Sequence, residues 1–162
     1  MLTISENITI NADVNKIWAL LTDFSISLNY NRFHTTLELP SNYSIGKMKK
    51  FNINHNFGFG NYNMVAEVTE CIPPNRLCIS EYCIDDKKKG FSHSIEFQIE
   101  PGIEKSKMCY TVTGTYGGKV QDISFKPILK GVMIEELLKI KNAIESSEKV
   151  SKPIVTETVK PI

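Results

Sequence analysis

Apolar and polar residues alternate through "LTISENITI" (Leu2–Ile10), with the apolar ones mostly at even positions, the period of a half-buried strand. "NADVNKIWALLTDF" then changes period. Val14, Ile17, Trp18 and Leu21 fall at helical spacing, and Asn11 or Asp13 can cap the first free amides. "SISLNYNRF" reads as a second short helix or a turn. From Phe33 the period of two returns for about eighty residues. It predicts strands near 33–39, 46–55, 63–72, 76–84, 90–100 and 106–116. The breaks carry turn chemistry: "PSNYSIG", "HNFGFGNYN", "PPN", "DDKKKG" and "PGIEKSK". Such regular spacing predicts an antiparallel meander. Helical period resumes from about Val120 to Ser147, where Ile128, Leu129, Val132, Met133, Leu137, Ile140 and Ile144 form one apolar stripe. Pro127 lies where it would kink or restart the first turn.

Seven strands and one long amphipathic helix imply a two-layer α+β domain over 1–148, followed by a C-terminal extension, 149–162, with two prolines and no apolar stripe. The sheet must cover its apolar face, and the long helix is the element long enough to do so. A strongly curved sheet around one helix tends to leave space between the two layers, a place for a ligand.

Composition narrows the function classes. The chain has 162 residues, 41% hydrophobic and 23% charged, with a formal net charge of +1. So even a balance gives no support for nucleic-acid or polybasic membrane binding. No apolar run approaches the roughly 20 residues of a membrane span. "MLTISENITINADVN" is polar and alternating, unlike a signal peptide, so a cytoplasmic protein is expected. The four cysteines (Cys71, Cys78, Cys83, Cys109) form no CxxC and read as free buried thiols. The three histidines (His34, His55, His93) are isolated in sequence, so neither a metal nor a cofactor is expected.

Strand parity selects candidate interior polar groups. His55 shares a face with Phe51 and Ile53, Glu81 with Leu77 and Ile79, His93 with Phe91 and Ile95, and Tyr110 with Met108 and Val112. His55, Glu81, His93 and Tyr110 therefore point toward the space beneath the long helix. Burial there would move their pKa values and suit them to acid–base work, or they are ordinary interior polar groups with partners. No GxSxG, HExxH or P-loop signature occurs. The glycines of "HNFGFGNYN" precede a strand instead of the helix a phosphate loop requires. Counting connections places that stretch, "DDKKKG" and "TYGGKVQDIS" at one end of the sheet. Phe57, Phe59, Tyr62 and Tyr116 would then flank an entrance, or merely close turns, with Leu129 and Met133 facing inward from the long helix.

Several segments resemble the START-like, pollen-allergen-like helix-grip superfamily (SRPBCC), in its polyketide cyclase/dehydrase-like branch. "ITINADVNKIWALLTDF" is similar to the branch's opening strand, turn and first helix, with Ala12, Asp13, Ile17, Trp18, Asp23 and Phe24 at the matching positions. "EVTECIPPNRLCISEY" resembles its Pro-Pro-x-Arg hairpin, and "LLKIKNAIES" its terminal helix, with Lys141 and Glu145 at i, i+4. The order of elements agrees over about residues 2–148. The Trp-x-Pro that usually follows the second helix is here Tyr30-Asn31-Arg32, which leaves the ligand type open. The resemblance implies a helix-grip fold: a curved seven-stranded antiparallel sheet wrapped around the C-terminal helix, with two short helices between strands 1 and 2. It also implies a cavity for a hydrophobic small molecule or lipid, in a monomer or homodimer. The alternatives are a cyclase or dehydratase using acid–base residues in the cavity, and a protein-interaction module like the chaperone activators with a similar hairpin.

Overall fold

The structure is a computed structural model that describes residues 1–40, 45–46, 49–58, 60–84, 86 and 89–150, with side chains described through Ser146. Strand β1 (Leu2–Ile10) leads into helices α1 (Val14–Thr22) and α2 (Phe24–Ser27) and a 3-10 turn at Leu28–Tyr30. Strands β2 (His34–Glu38), β3 (Lys50–Asn56), β4 (Asn61–Ile72), β5 (Arg76–Cys83), β6 (Ser92–Glu100) and β7 (Ser106–Thr115) follow, and then helix α3 (Lys119–Val150). The third strand, expected from about 46, is β3 and starts at Lys50. The long helix runs on to Val150 with Pro127 inside it, and residues 151–162 of the expected extension lie outside the described residues.

Strands β2 to β7 form the expected meander, and β1 closes against β7, giving the order β1-β7-β6-β5-β4-β3-β2 with every pairing antiparallel. The first and second strands thus lie at opposite edges of the sheet, and α1 and α2 carry the chain between them. This is the helix-grip arrangement. Asp13 starts α1 by accepting from the amides of Asn15 (2.9 Å) and Lys16 (3.2 Å), which satisfies two of the donors that the first turn leaves free.

The core lies between the sheet's inner face and α3. Leu77, Ile79, Phe97, Met108 and Val112 from the strands meet Leu129, Met133, Leu137, Ile140 and Ile144 from the helix, all buried. Ile17, Leu21 and Phe24 complete it from α1 and α2. The far end of α3 is tied to the end of β1: Lys141 donates to the Thr9 carbonyl (2.6 Å) and pairs with Glu145 (2.8 Å), which accepts from the Asn11 amide (2.9 Å). The four cysteines form no disulfide, and of the thiols expected to be buried only Cys83 is; Cys71, Cys78 and Cys109 are half-buried. No described helix is long and apolar enough to cross a membrane.

Candidate functional site

The inner face of the sheet carries a row of polar groups where apolar ones would be expected. Glu81 on β5 lies opposite His93 on β6 and opposite the small Ala66 on β4. His55 on β3 lies opposite His34 on β2. The side chains then converge: Glu81 Oε2 is 2.9 Å from His55 Nε2, 3.3 Å from His93 Nε2 and 3.9 Å from His34 Nε2. All four side chains are almost fully buried, at 0 to 6% exposure. The separation in sequence that argued against a histidine cluster does not hold in space, because neighbouring strands carry the residues into one plane.

Two imidazoles are aimed by the backbone. His34 Nδ1 lies 2.6 Å from the Leu28 carbonyl and His93 Nδ1 lies 2.7 Å from that of Phe91. A carbonyl only accepts, so both Nδ1 atoms carry the proton and donate. Burial lowers the His34 pKa to about 4, against the pull of the Glu81 charge, and lowers that of His93 in the same way. Both rings are therefore neutral at pH 7, with a bare Nε2 facing the cluster. Burial alone would raise Glu81, but the neighbouring His55, by charge and by hydrogen bonding, holds it below the ordinary carboxylate range.

Tyr110, expected among this set, belongs to a second buried cluster under α3. Its hydroxyl donates to Glu136 Oε2 (3.1 Å), and so does Asn31 Nδ2 (3.1 Å). Burial, reinforced by the Glu81 charge, pushes Glu136 up to about 8, so it is a neutral acid at pH 7. Tyr110 is raised well above its ordinary value by the same burial.

Aromatic rings close the cluster off from the end of the sheet. Phe57 packs against His55 (4.9 Å between ring centres), Phe33 (5.2 Å), Tyr62 (5.8 Å), Tyr116 (5.9 Å) and Phe125 (6.0 Å). Phe91 stacks on His93 at 4.7 Å. The 57–62 connection and the lead-in to α3 therefore share one end, as the strand count requires. Phe57 is a buried plug there and not an exposed gate. Phe59 lies outside the described residues. Outside the plug runs a largely apolar groove of about 390 Å³, lined by Tyr116, Val120, Gln121, Ser124, Phe125 and Ile128. Beneath the middle of α3, by contrast, the gap lined by Leu21, Phe24, Leu77, Phe97, Glu136 and Ile140 is too narrow for a water molecule. The space expected between sheet and helix is filled at that point.

The structure thus brings His55, Glu81 and His93 together and groups Phe57, Tyr62 and Tyr116 at the plug. Leu129 and Met133 are buried on the inner side of α3. Ile128, assigned to the same stripe, is instead half exposed and lines the groove. His34, Asn31, Phe125 and Glu136 escaped the sequence reading. Glu136 had a signal, since it falls in the helical series Leu129, Met133, Glu136, Ile140.

No family model and no curated protein matches the chain. Solved structures match in fold. A conserved protein from Geobacillus kaustophilus superposes with a TM-score of 0.69 at 24% identity, over 90% of this chain and 97% of that one. A hypothetical protein from Helicobacter pylori gives a TM-score of 0.71 at 14% identity, over 88% and 87%. DynU16, from the dynemicin biosynthetic locus, gives 0.64 at 14% identity; the match covers 90% of this chain and 48% of that one. At these identities the likeness defines the α+β class and its helix-grip architecture, and nothing finer.

Proposed function

We propose that the protein binds a hydrophobic small molecule or lipid, taken in where the 57–62 connection meets the start of α3. The apolar groove at that end carries this reading. Phe125 lines the groove on one side and packs against Phe33 (5.8 Å) and Phe91 (5.2 Å) on the other. Swinging this ring aside would join the groove to the aromatic interior around Phe33, Phe57 and Phe91. Gly58 (φ 88°) and Gly117 (φ 100°) hold left-handed conformations beside the plug, where a side chain would be strained. The resemblance to the SRPBCC superfamily and the biosynthetic setting of one fold neighbour agree with a small-molecule role.

Native mass spectrometry of freshly purified protein, with thermal-shift titration of fatty acids, isoprenoids and polycyclic aromatics, tests the proposal. At least one class should be retained and should raise the melting temperature. Ile128→Lys, at a half-exposed position, should weaken that binding by about tenfold or more through loss of apolar contact and burial of a charge. Absence of any retained ligand or shift across the three classes would defeat the reading.

A second reading, an acid–base enzyme of the cyclase or dehydratase kind, draws on the 3.3 Å approach of His93 to Glu81. It requires substrate turnover to fall by about 10²–10⁴-fold in Glu81→Gln, the usual worth of a positioned acid or base.

A further inference from the structure

We propose that His34, His55, His93 and Glu81 form a binding site for one divalent first-row transition-metal ion. The ligand atoms of His34, His55 and Glu81 all lie within 4.8 Å of one another, and His93 Nε2 stands 3.3 Å from the same carboxylate oxygen. Bonds of about 2.0–2.2 Å in a tetrahedral site hold ligand atoms roughly 3.3–3.6 Å apart, so His34, His55 and Glu81 close on an ion with displacements on the order of 1 Å, and His93, against the same carboxylate oxygen, turns in as the fourth ligand.

Three further features favour an ion over a chance polar cluster. First, the rings are set as metal-bound imidazoles are set. His34 and His93 each donate Nδ1–H to a backbone carbonyl, at 2.6 and 2.7 Å, which fixes the tautomer and leaves Nε2 as a lone pair aimed at the centre. Second, lone pairs face lone pairs. His34 Nε2 and Glu81 Oε1 are buried without a hydrogen-bond partner, and the bare Nε2 atoms of His34 and His93 face the Glu81 carboxylate at 3.9 and 3.3 Å, an arrangement that is costly without a cation to accept them. Third, the ligands come from four strands, β2, β3, β5 and β6, whose ladders fix their spacing. Three imidazoles and one carboxylate suit zinc, cobalt, nickel or iron(II), and do not suit the all-oxygen shells of calcium or magnesium. The site stands independently of the ligand-binding reading, since the aromatic plug separates it from the groove.

The experiment uses the full chain without a polyhistidine tag, expressed with supplemented zinc or cobalt and also refolded in their presence. Elemental analysis after dialysis should find one ion per chain. The cobalt form should show the visible absorption of a tetrahedral nitrogen–oxygen site and lack the near-ultraviolet band of a thiolate ligand. X-ray absorption on the wild-type cobalt protein should count three imidazoles, which the chain can supply only from this cluster, because it has three histidines. Glu81→Gln and His55→Asn should each weaken affinity by more than about tenfold. The wild-type spectra hold the test if those variants do not fold. A dialysed protein with no stoichiometric ion after both routes overturns the proposal and leaves a proton-sharing His–Glu cluster. Sulfur ligands in the absorption spectrum overturn it as well. Neither result bears on retention of an apolar ligand.

Discussion

Two residues carry consequences out of proportion to their size. Glu136 is buried, accepts from Tyr110 and Asn31 on one oxygen, and has its pKa pushed up from 4.5 to about 8. A folded-state value above the unfolded one means that the native state holds the proton more tightly. The contribution of this group is therefore fully present below about pH 4.5 and is lost as pH rises toward about 8. Glu136→Gln keeps an acceptor for both donors and cannot ionise. Its stability relative to the wild type should improve by a few kcal/mol between pH 5 and 8, read from urea midpoints across that range. A difference that stays flat with pH would show that Glu136 is ionised in the native state. Gly114, opposite His93 on β7, is required for space and not for turning. A Cβ there would stand 2.6 Å from His93 Cβ, 2.7 Å from the Ser92 carbonyl and 2.9 Å from the Phe91 ring. Gly114→Ala should cost about 1–3 kcal/mol by overpacking, a fall of several degrees in melting temperature. An unchanged melting temperature would mean that β6 and β7 separate more easily than their pairing suggests.

At the scale of elements, each boundary has a nameable cause, and the causes differ in how visible they are in sequence. The start of α1 is visible: Asp13 stands one residue before the helical series and caps it through two amides. Asp13→Ala should remove about 0.5–2 kcal/mol, measured by chemical denaturation, and Asp13→Ser should restore most of it. Strand parity was equally legible, because a period of two leaves no freedom once one face is apolar. It placed His55, Glu81 and His93 on the inner face correctly. It could not place His34. The β2–β3 register shifts between His34 and Thr36, so one irregular step brings His34 inward on the same strand as Leu37, where strict alternation would set them on opposite faces. Nor could parity assign Tyr110 to Glu136 instead of Glu81, because that choice is made by α3 from the opposite layer. Ile128 shows the complementary limit. It lies next to Leu129 in sequence but at the edge of the helix's buried arc, between buried Phe125, Leu129 and Val132, so its side chain faces the groove instead of a strand.

For the whole molecule, the chain's path decides which parts are held most firmly. Among the described strands, β3, β4, β5, β6 and β7 each have a neighbour on both sides, while β2 is paired on one side only and begins at the irregular step by His34. Strand β1 is also an edge, but α3 packs along it, and Lys141 and Glu145 bond to its end. The two edges should therefore differ. Hydrogen exchange followed by mass spectrometry should find the slowest amides in β5, β6 and β7, intermediate ones in β1, and the fastest strand amides in β2, which open without disturbing the rest. His34 changes this order when the His–Glu cluster is loaded. An ion joining β2 and β3 to β5 and β6 fastens the free edge to the centre, because ligand binding to the native state alone adds stability where the opened form would release it. Zinc should then slow exchange in β2 and in the Leu28–Tyr30 turn, whose Leu28 carbonyl accepts from His34, while β1 exchanges as before. Equal protection of β1 and β2 in the metal-free protein would show that pairing and helix contact do not rank the edges in this fold.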